Sequence, residues 1–328
     1  MAVCPIVVPL GMLDSAVDGS SSDTATSPAF SQADRSDSEK LVQASDGSVK
    51  RWSSLQSQSS QSTTAVEDTD SDMLDSPHGI ASIAGCVVML SQSQEGSRRV
   101  QDALLKANSD VEREFLVAEL HGNAVKAMRC PHANHVLQKC ISMMPRASLQ
   151  FMIDEITQCE GLAKKIATHR YGGRIVQKLL AKCEPSQVHD LAETLLQDMV
   201  AISCHAFGNY AIQHLLQFGT PQQQYRCVRT IEMHIQTIAS NPFGVGVVAT
   251  ALEHTTLDDA VWIARAVLQD PELLPRVAQM RHGAGIVTKI LTVLTGKEQE
   301  RAHHILVAGR AQLQGSRYGR KSLAAFEA

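Results

Sequence analysis

Apolar residues recur in this chain on two beats. Within short segments they fall three and four residues apart, which is helical spacing, and the segments themselves return every 36 to 39 residues. The clearest unit is residues 198–233. MVAISC (Met199 to Cys204) is a first apolar segment ending at a loop that contains Gly208. A second helix is predicted from Asn209 to about Gln217, where Gly219 and Pro221 break the chain. A third helix begins near Pro221 and carries Tyr225, Val228 and Ile231 in register. At about 100° per residue, the second helix places Ala211, Ile212, Leu215 and Leu216 on one side and Asn209, Tyr210 and Gln213 on the other. The same division sets Ile175, Val176, Leu179 and Leu180 against Gly173, Arg174 and Gln177. A single unit cannot bury its apolar face alone, so the pattern predicts an all-α solenoid of stacked three-helix units.

Each second helix opens with a five-residue segment of constant logic. SRRVQ ends at Gln101, NHVLQ at Gln138, GRIVQ at Gln177 and NYAIQ at Gln213; weaker copies end at Ala249 (VGVVA), Thr288 (AGIVT) and Ala324 (RKSLA). Successive ends are 37, 39, 36, 36, 39 and 36 residues apart. The first and fifth residues of a pentad lie one helical turn apart on a shared face, with the second beside them. In NYAIQ that face offers two amides and an aromatic ring. Amides pair with base edges, and a ring or guanidinium plane stacks on a base, so these trios are candidate base-reading sites.

Those residues resemble the repeats of the Pumilio, or PUF, family of RNA-binding proteins, in which each helical repeat contacts one base of single-stranded RNA. The resemblance covers roughly residues 80–328 and is closest in the first four units. AGCVVMLSQSQEGSRRVQDALL (Ala84 to Leu105) resembles the family's first repeat, and CHAFGNYAIQHLL (Cys204 to Leu216) its uridine-reading repeats. The resemblance implies a right-handed α-solenoid of three-helix repeats. By the family's code, Asn134 with Gln138 and Asn209 with Gln213 are uridine readers, with His135 and Tyr210 as stacking platforms. Ser97 with Gln101 and Arg98 resembles the adenine reader. Gly173, Arg174 and Gln177 come near that pattern but lack one contact, because Gly173 stands where Ser or Cys is usual. The family binds RNA antiparallel to repeat order, so the four units imply a core of 5′-UAUA-3′. The remaining trios, Val245/Gly246/Ala249, Ala284/Gly285/Thr288 and Arg320/Lys321/Ala324, offer no amide pair, and poor base discrimination is expected there. Seven units are legible where the family usually has eight. The chain stops at Ala328 inside the second helix of the last, which reads as a truncation or an unusual terminus.

Composition divides the chain. Residues 1–79 are rich in Ser, Thr, Asp and Gln and read as a disordered tail, with 80–328 as the repeat domain. Residues 1–80 carry four Lys/Arg against twelve Asp/Glu, a net of −8, leaving 26 basic and 22 acidic residues, a net of +4, in the array. A mildly basic array suits a polyanionic partner. The apolar Met1 to Met12 segment lacks a basic start, is broken by Pro5 and Pro9, and is too short to span a bilayer, so neither a signal peptide nor a membrane contact is expected. Eight scattered cysteines read as reduced thiols, and a cytoplasmic protein is expected, with nuclear or nucleolar placement as the alternative.

Other chemistries fit less well. Cys130, His132, His135 and Cys140 have zinc-ligand residue types without a zinc-finger spacing, and Cys204 beside His205 reads as core packing and not as a nucleophile with its base. No phosphate-cradling loop, dinucleotide fingerprint or paired carboxylates stand out, so no enzyme, cofactor or metal is expected. The resemblance implies binding of messenger RNA 3′ untranslated regions by a monomer for post-transcriptional regulation, with regulatory proteins recruited on the convex face or through the tail. Two alternatives remain: a helical scaffold for proteins, or a divergent relative that holds structured or ribosomal RNA with little sequence preference.

Overall fold

In the computed structural model, residues 82–327 are described, so the expected tail and its boundary at residue 79 lie outside the described residues. The described residues form twenty α-helices and no strand, in the order first, middle, third helix of each repeat. The first helices are Val87–Ser91, Ala124–Arg129, Leu162–Ala167, Met199–Ser203, Ile235–Ala239, Leu273–Ala278 and Arg310–Gln314. The middle helices are Gln94–Lys106, Ala133–Met143, Gly172–Lys182, Asn209–Phe218, Gly244–His254, Gly283–Val293 and Arg317–Glu327. The third helices are Asp110–Ala118, Gln150–Thr157, His189–Gln197, Pro221–Met233, Leu257–Gln269 and Gly296–Ala308. Seven middle helices confirm the seven predicted units, and the expected α-solenoid is the fold. Each middle helix packs on the middle helix of the next repeat in unbroken succession, which brings all seven pentads to one side of the stack.

Local sequence explains the corners. A small residue recurs just before each pentad: Gly96, Ala133, Gly172, Gly208, Gly244, Gly283 and Gly319. There the chain turns from first to middle helix so tightly that a Cβ on Gly244 would stand 2.2 Å from the Ile238 carbonyl oxygen, and one on Gly283 2.4 Å from that of Val277. Three residues earlier sits a second recurrent feature, an acceptor for the free N–H groups at the start of the middle helix. Ser93 accepts from the Gly96 N–H, and Ser316 from that of Gly319. His169 Nδ1 accepts from Tyr171 and Gly172, His205 Nδ1 from Phe207, and Asn241 Oδ1 from Phe243 and Gly244. The third helix of the model unit starts on a full capping box, with Thr220 and Gln223 bonded reciprocally and Pro221 in the first turn.

The apolar sides of the middle helices form the core. Ile175, Val176, Leu179, Ile212, Leu215 and Leu216 are buried, as their spacing predicts. Third helices are tied along the stack by ion pairs between successive repeats, Arg226 with Glu193, Arg229 with Asp259 and Arg265 with Glu298.

Candidate nucleic-acid interface

The pentads build a layered site. Its deepest layer is the first residue: Ser97, Asn134 and Asn209 are only 3%, 1% and 4% exposed, so they lie beneath the surface and not on it. Asn134 Nδ2 donates to the Cys130 and Pro131 carbonyls at 2.8 and 2.9 Å, and Asn209 Nδ2 donates to those of His205 and Ala206 at 2.8 and 3.1 Å. Two backbone carbonyls demand the NH2 end of each amide, which leaves Oδ1 facing the fifth residue. That oxygen accepts from Gln138 Nε2 at 2.8 Å in the second repeat and from Gln213 Nε2 at 2.7 Å in the fourth. The orientation of each glutamine is therefore dictated by the backbone, two hydrogen bonds away. Gln138 is left presenting Oε1 and one N–H.

Ser97 reaches a similar end by another route. Its hydroxyl donates to the His132 carbonyl of the next repeat at 2.9 Å, and Gln101 Nε2 donates to both the Ser97 hydroxyl and the Ser97 carbonyl, at 3.1 and 3.2 Å. Both amide hydrogens are spent, so Gln101 presents an acceptor. In the third repeat Gly173 offers no side chain to Gln177, and the gap has closed: a Cβ on Gly173 would stand 2.7 Å from the Ala167 carbonyl oxygen.

The stacking candidates occupy the upper layer. Arg98, His135 and Arg174 are exposed, while Tyr210 is half-buried. Partial burial of its ring, with the nearby Arg174 and His132 adding to it, lowers the His135 pKa. Burial raises that of the Tyr210 phenol, against an opposing pull from Arg281. Lys178, beside Gln177, is lowered by burial and then by Arg174.

The weaker pentads split into two kinds. Val245 and Gly246 are buried and Ala249 is half-buried, so in the fifth repeat two of the three trio positions are withdrawn from the surface. Gly285 and Thr288 of the sixth repeat, and Arg320, Lys321 and Ala324 of the seventh, are exposed. Charge follows the layers. The seven middle helices hold eleven Lys/Arg against four Asp/Glu, a net of +7, while the six third helices hold six against twelve, a net of −6. A whole-array net of +4 conceals this polarity, which becomes visible only once the helices are assigned to sides. The Asn and Ser anchoring role also escaped sequence reasoning, since a pentad written as letters does not tell which of its residues is buried.

The chain shares this architecture with known proteins. The Pumilio-family RNA binding repeat matches residues 86–121, 125–157, 164–196 and 198–231. A Pumilio domain-containing protein of Schizosaccharomyces pombe is 31% identical over 123 residues, 35% of this chain and 18% of that protein. Suppressor protein MPT5 of Saccharomyces cerevisiae is 28% identical over 117 residues, 34% of this chain and 14% of that protein. The matched stretches thus span a fifth or less of these relatives. Among solved structures, PUF-8 in complex with PBE-RNA superposes with a TM-score of 0.66 at 20% identity, covering 76% of this chain and 74% of that one. The Puf3 RNA-binding domain bound to a Cox17 RNA 3′ UTR recognition sequence gives 0.62 at 20% identity, covering 75% and 74%. The match is to a binding repeat and not to an enzyme. Residues 86–231 thus carry four repeats similar to the Pumilio-family RNA binding repeat, and the seven stacked units share the fold of these solved structures.

Proposed function

We propose that the pentad side of the array binds single-stranded RNA, one base per repeat over the first four repeats, with a core of 5′-UAUA-3′. The observation that carries this reading is the anchored glutamine. An amide whose orientation is imposed from the backbone offers the same donor and acceptor to every incoming base, and a fixed pattern is what discrimination requires. Gln138 Oε1 suits the uracil N3–H, and its N–H suits a uracil carbonyl. Gln101, left with an acceptor, suits the adenine amino group. The +7 polarity of the middle helices supports a polyanion on this side, and PUF-8 and Puf3, which share this fold, were solved with RNA bound. The array acts as a monomer in the cytoplasm on messenger RNA 3′ untranslated regions, controlling expression after transcription.

A second surface favours protein partners on the opposite side. Arg229 lies 3.4 Å from the centre of the Trp262 ring and 5.3 Å from that of Tyr225, and both rings are exposed alongside Met233 and Leu257. Aromatic and arginine side chains of this kind anchor protein interfaces.

The test is binding of a short UAUA-containing RNA, a scrambled RNA and a duplex at two salt concentrations. Selective, salt-dependent binding of the UAUA strand is expected. Equal binding of all three contradicts base reading, and no binding leaves the scaffold reading in its place.

A further inference from the structure

The second and fourth repeats carry the same set, a buried Asn, an aromatic ring and a Gln, yet their glutamines are not equally available. Gln213 is held at both ends. Its Nε2 donates to Asn209 Oδ1 at 2.7 Å, and its Oε1 accepts from Thr250 Oγ1, on the middle helix of the fifth repeat, at 3.1 Å. Backbone carbonyls fix Asn209, Asn209 fixes the Gln213 amide, and the Gln213 oxygen then points at Thr250. The fifth repeat accommodates the clamp because its second pentad residue is Gly246. The place a Cβ would take there lies 3.3 Å from Gln213 Nε2 and 3.6 Å from His282 Nε2, so the volume of a stacking side chain is already occupied from both sides.

The position after the pentad explains why the second repeat escapes. Thr250 is equivalent to Lys139, Lys178 and His214, so the third repeat carries Lys178, which has no hydroxyl, at the position that clamps Gln213 in the fifth. Thr250 itself is 7% exposed, and its one hydroxyl hydrogen is shared between Gln213 Oε1 and the Gly246 carbonyl, 3.0 Å away.

We propose that Thr250 is a specificity-determining residue: by donating to Gln213 Oε1 it takes one of that oxygen's two lone pairs and holds the oxygen toward the fifth repeat, so the acceptor that uracil N3–H needs is weakened and the fourth repeat discriminates less than the second. The remaining N–H is satisfied by an acceptor on any of the four bases, so binding persists while discrimination falls. This inference rests on the base-reading function proposed above.

Both are separated by one set of measurements on the full chain. In 5′-UAUA-3′ the third base faces the second repeat and the first base the fourth. Replacing the third base should weaken wild-type binding about tenfold, within the range of a good bidentate contact. Replacing the first should cost less than about threefold, the discrimination left to a weakened acceptor. Thr250→Val keeps the shape and removes the hydroxyl, and it should raise discrimination at the first base to the level of the third; Thr250→Ser should behave as wild type. Thr250→Ala, read with a thermal melt of each variant, gives the same answer if the valine variant misfolds. Equal discrimination at both positions in the wild type, or no gain in the valine and alanine variants, overturns the role of Thr250. Insensitivity of the third base, with Gln138→Ala binding as wild type, overturns base reading itself and this inference with it.

Discussion

Repeats one to four and repeats five to seven are built on the same corners and the same core, and they differ in what stands on their common side. In the first group a buried polar residue or a gap sits under a glutamine. In the second the corresponding places hold Val245 and Gly246, which are buried, or Ala284, Gly285, Arg320 and Lys321, which offer no amide. The difference shows that stacking and reading are separately encoded: apolar spacing and the tight glycine corner build the array, while the pentad positions and the residue that meets them from the next repeat decide whether a unit discriminates.

The largest effect should be indifferent to the division. Gly244→Val and Gly172→Val press a side chain onto a carbonyl oxygen 2.2 and 2.6 Å from the first added carbon, one in each half. Each should destabilise the array by about 3 kcal/mol, the upper range of overpacking, in thermal or urea unfolding. A large loss in only one half would break the claim that both share one scaffold.

Next comes an exchange across the division. Val245→Asn places an amide where the fifth repeat has an apolar, fully buried side chain, and should cost about 1–3 kcal/mol for an unpaired buried polar group. Asn134→Val removes the donor to two carbonyls and should cost a similar 1–3 kcal/mol, while also freeing Gln138 to rotate. Unfolding measurements on the pair, with RNA binding for the second, check both halves of the exchange. Arg320→Ala with Lys321→Ala should lower affinity by a small factor for every RNA sequence alike, and the loss should shrink at high salt.

The smallest effect concerns pH. His169 and His205 accept backbone hydrogen bonds through Nδ1 and so act unprotonated, where the fifth repeat uses Asn241. Burial lowers the pKa of both below the ordinary 6.5, with Arg129 and Arg170 adding to it at His169. The unfolded chain thus takes up the protons more readily than the folded one. Stability is fully present above about pH 6.5 and declines as pH falls through the lowered values. His169→Asn with His205→Asn should flatten part of that decline in melting temperature between neutral and mildly acidic pH, and leave the fifth repeat's contribution untouched.

Much of this was legible in the chain itself. The two beats of apolar spacing give the helices and their number, and the pentads give the side on which the glutamines lie. Two other recurrences have the same interval and were equally available: the small residue before each pentad and, in every repeat but the sixth, where Met280 stands, a side chain able to accept three residues earlier. What the chain could not reveal is depth. Asn209 and Tyr210 look alike as surface polar residues on a helical wheel, and only the loop wrapped around Asn209 makes it an anchor. Nor does spacing within one repeat disclose contacts between repeats, so the grip of Thr250 on Gln213, 37 residues away, appears only after folding.

The central claim is that an anchored glutamine reads a base. It is tested most directly by measuring the affinity of wild type and Gln138→Ala for the UAUA strand with each of the four bases at its third position. Wild type should prefer uridine about tenfold and the variant should bind all four nearly equally, with the other positions unchanged. A variant that keeps the uridine preference, or that weakens equally with changes at every position, would contradict the account.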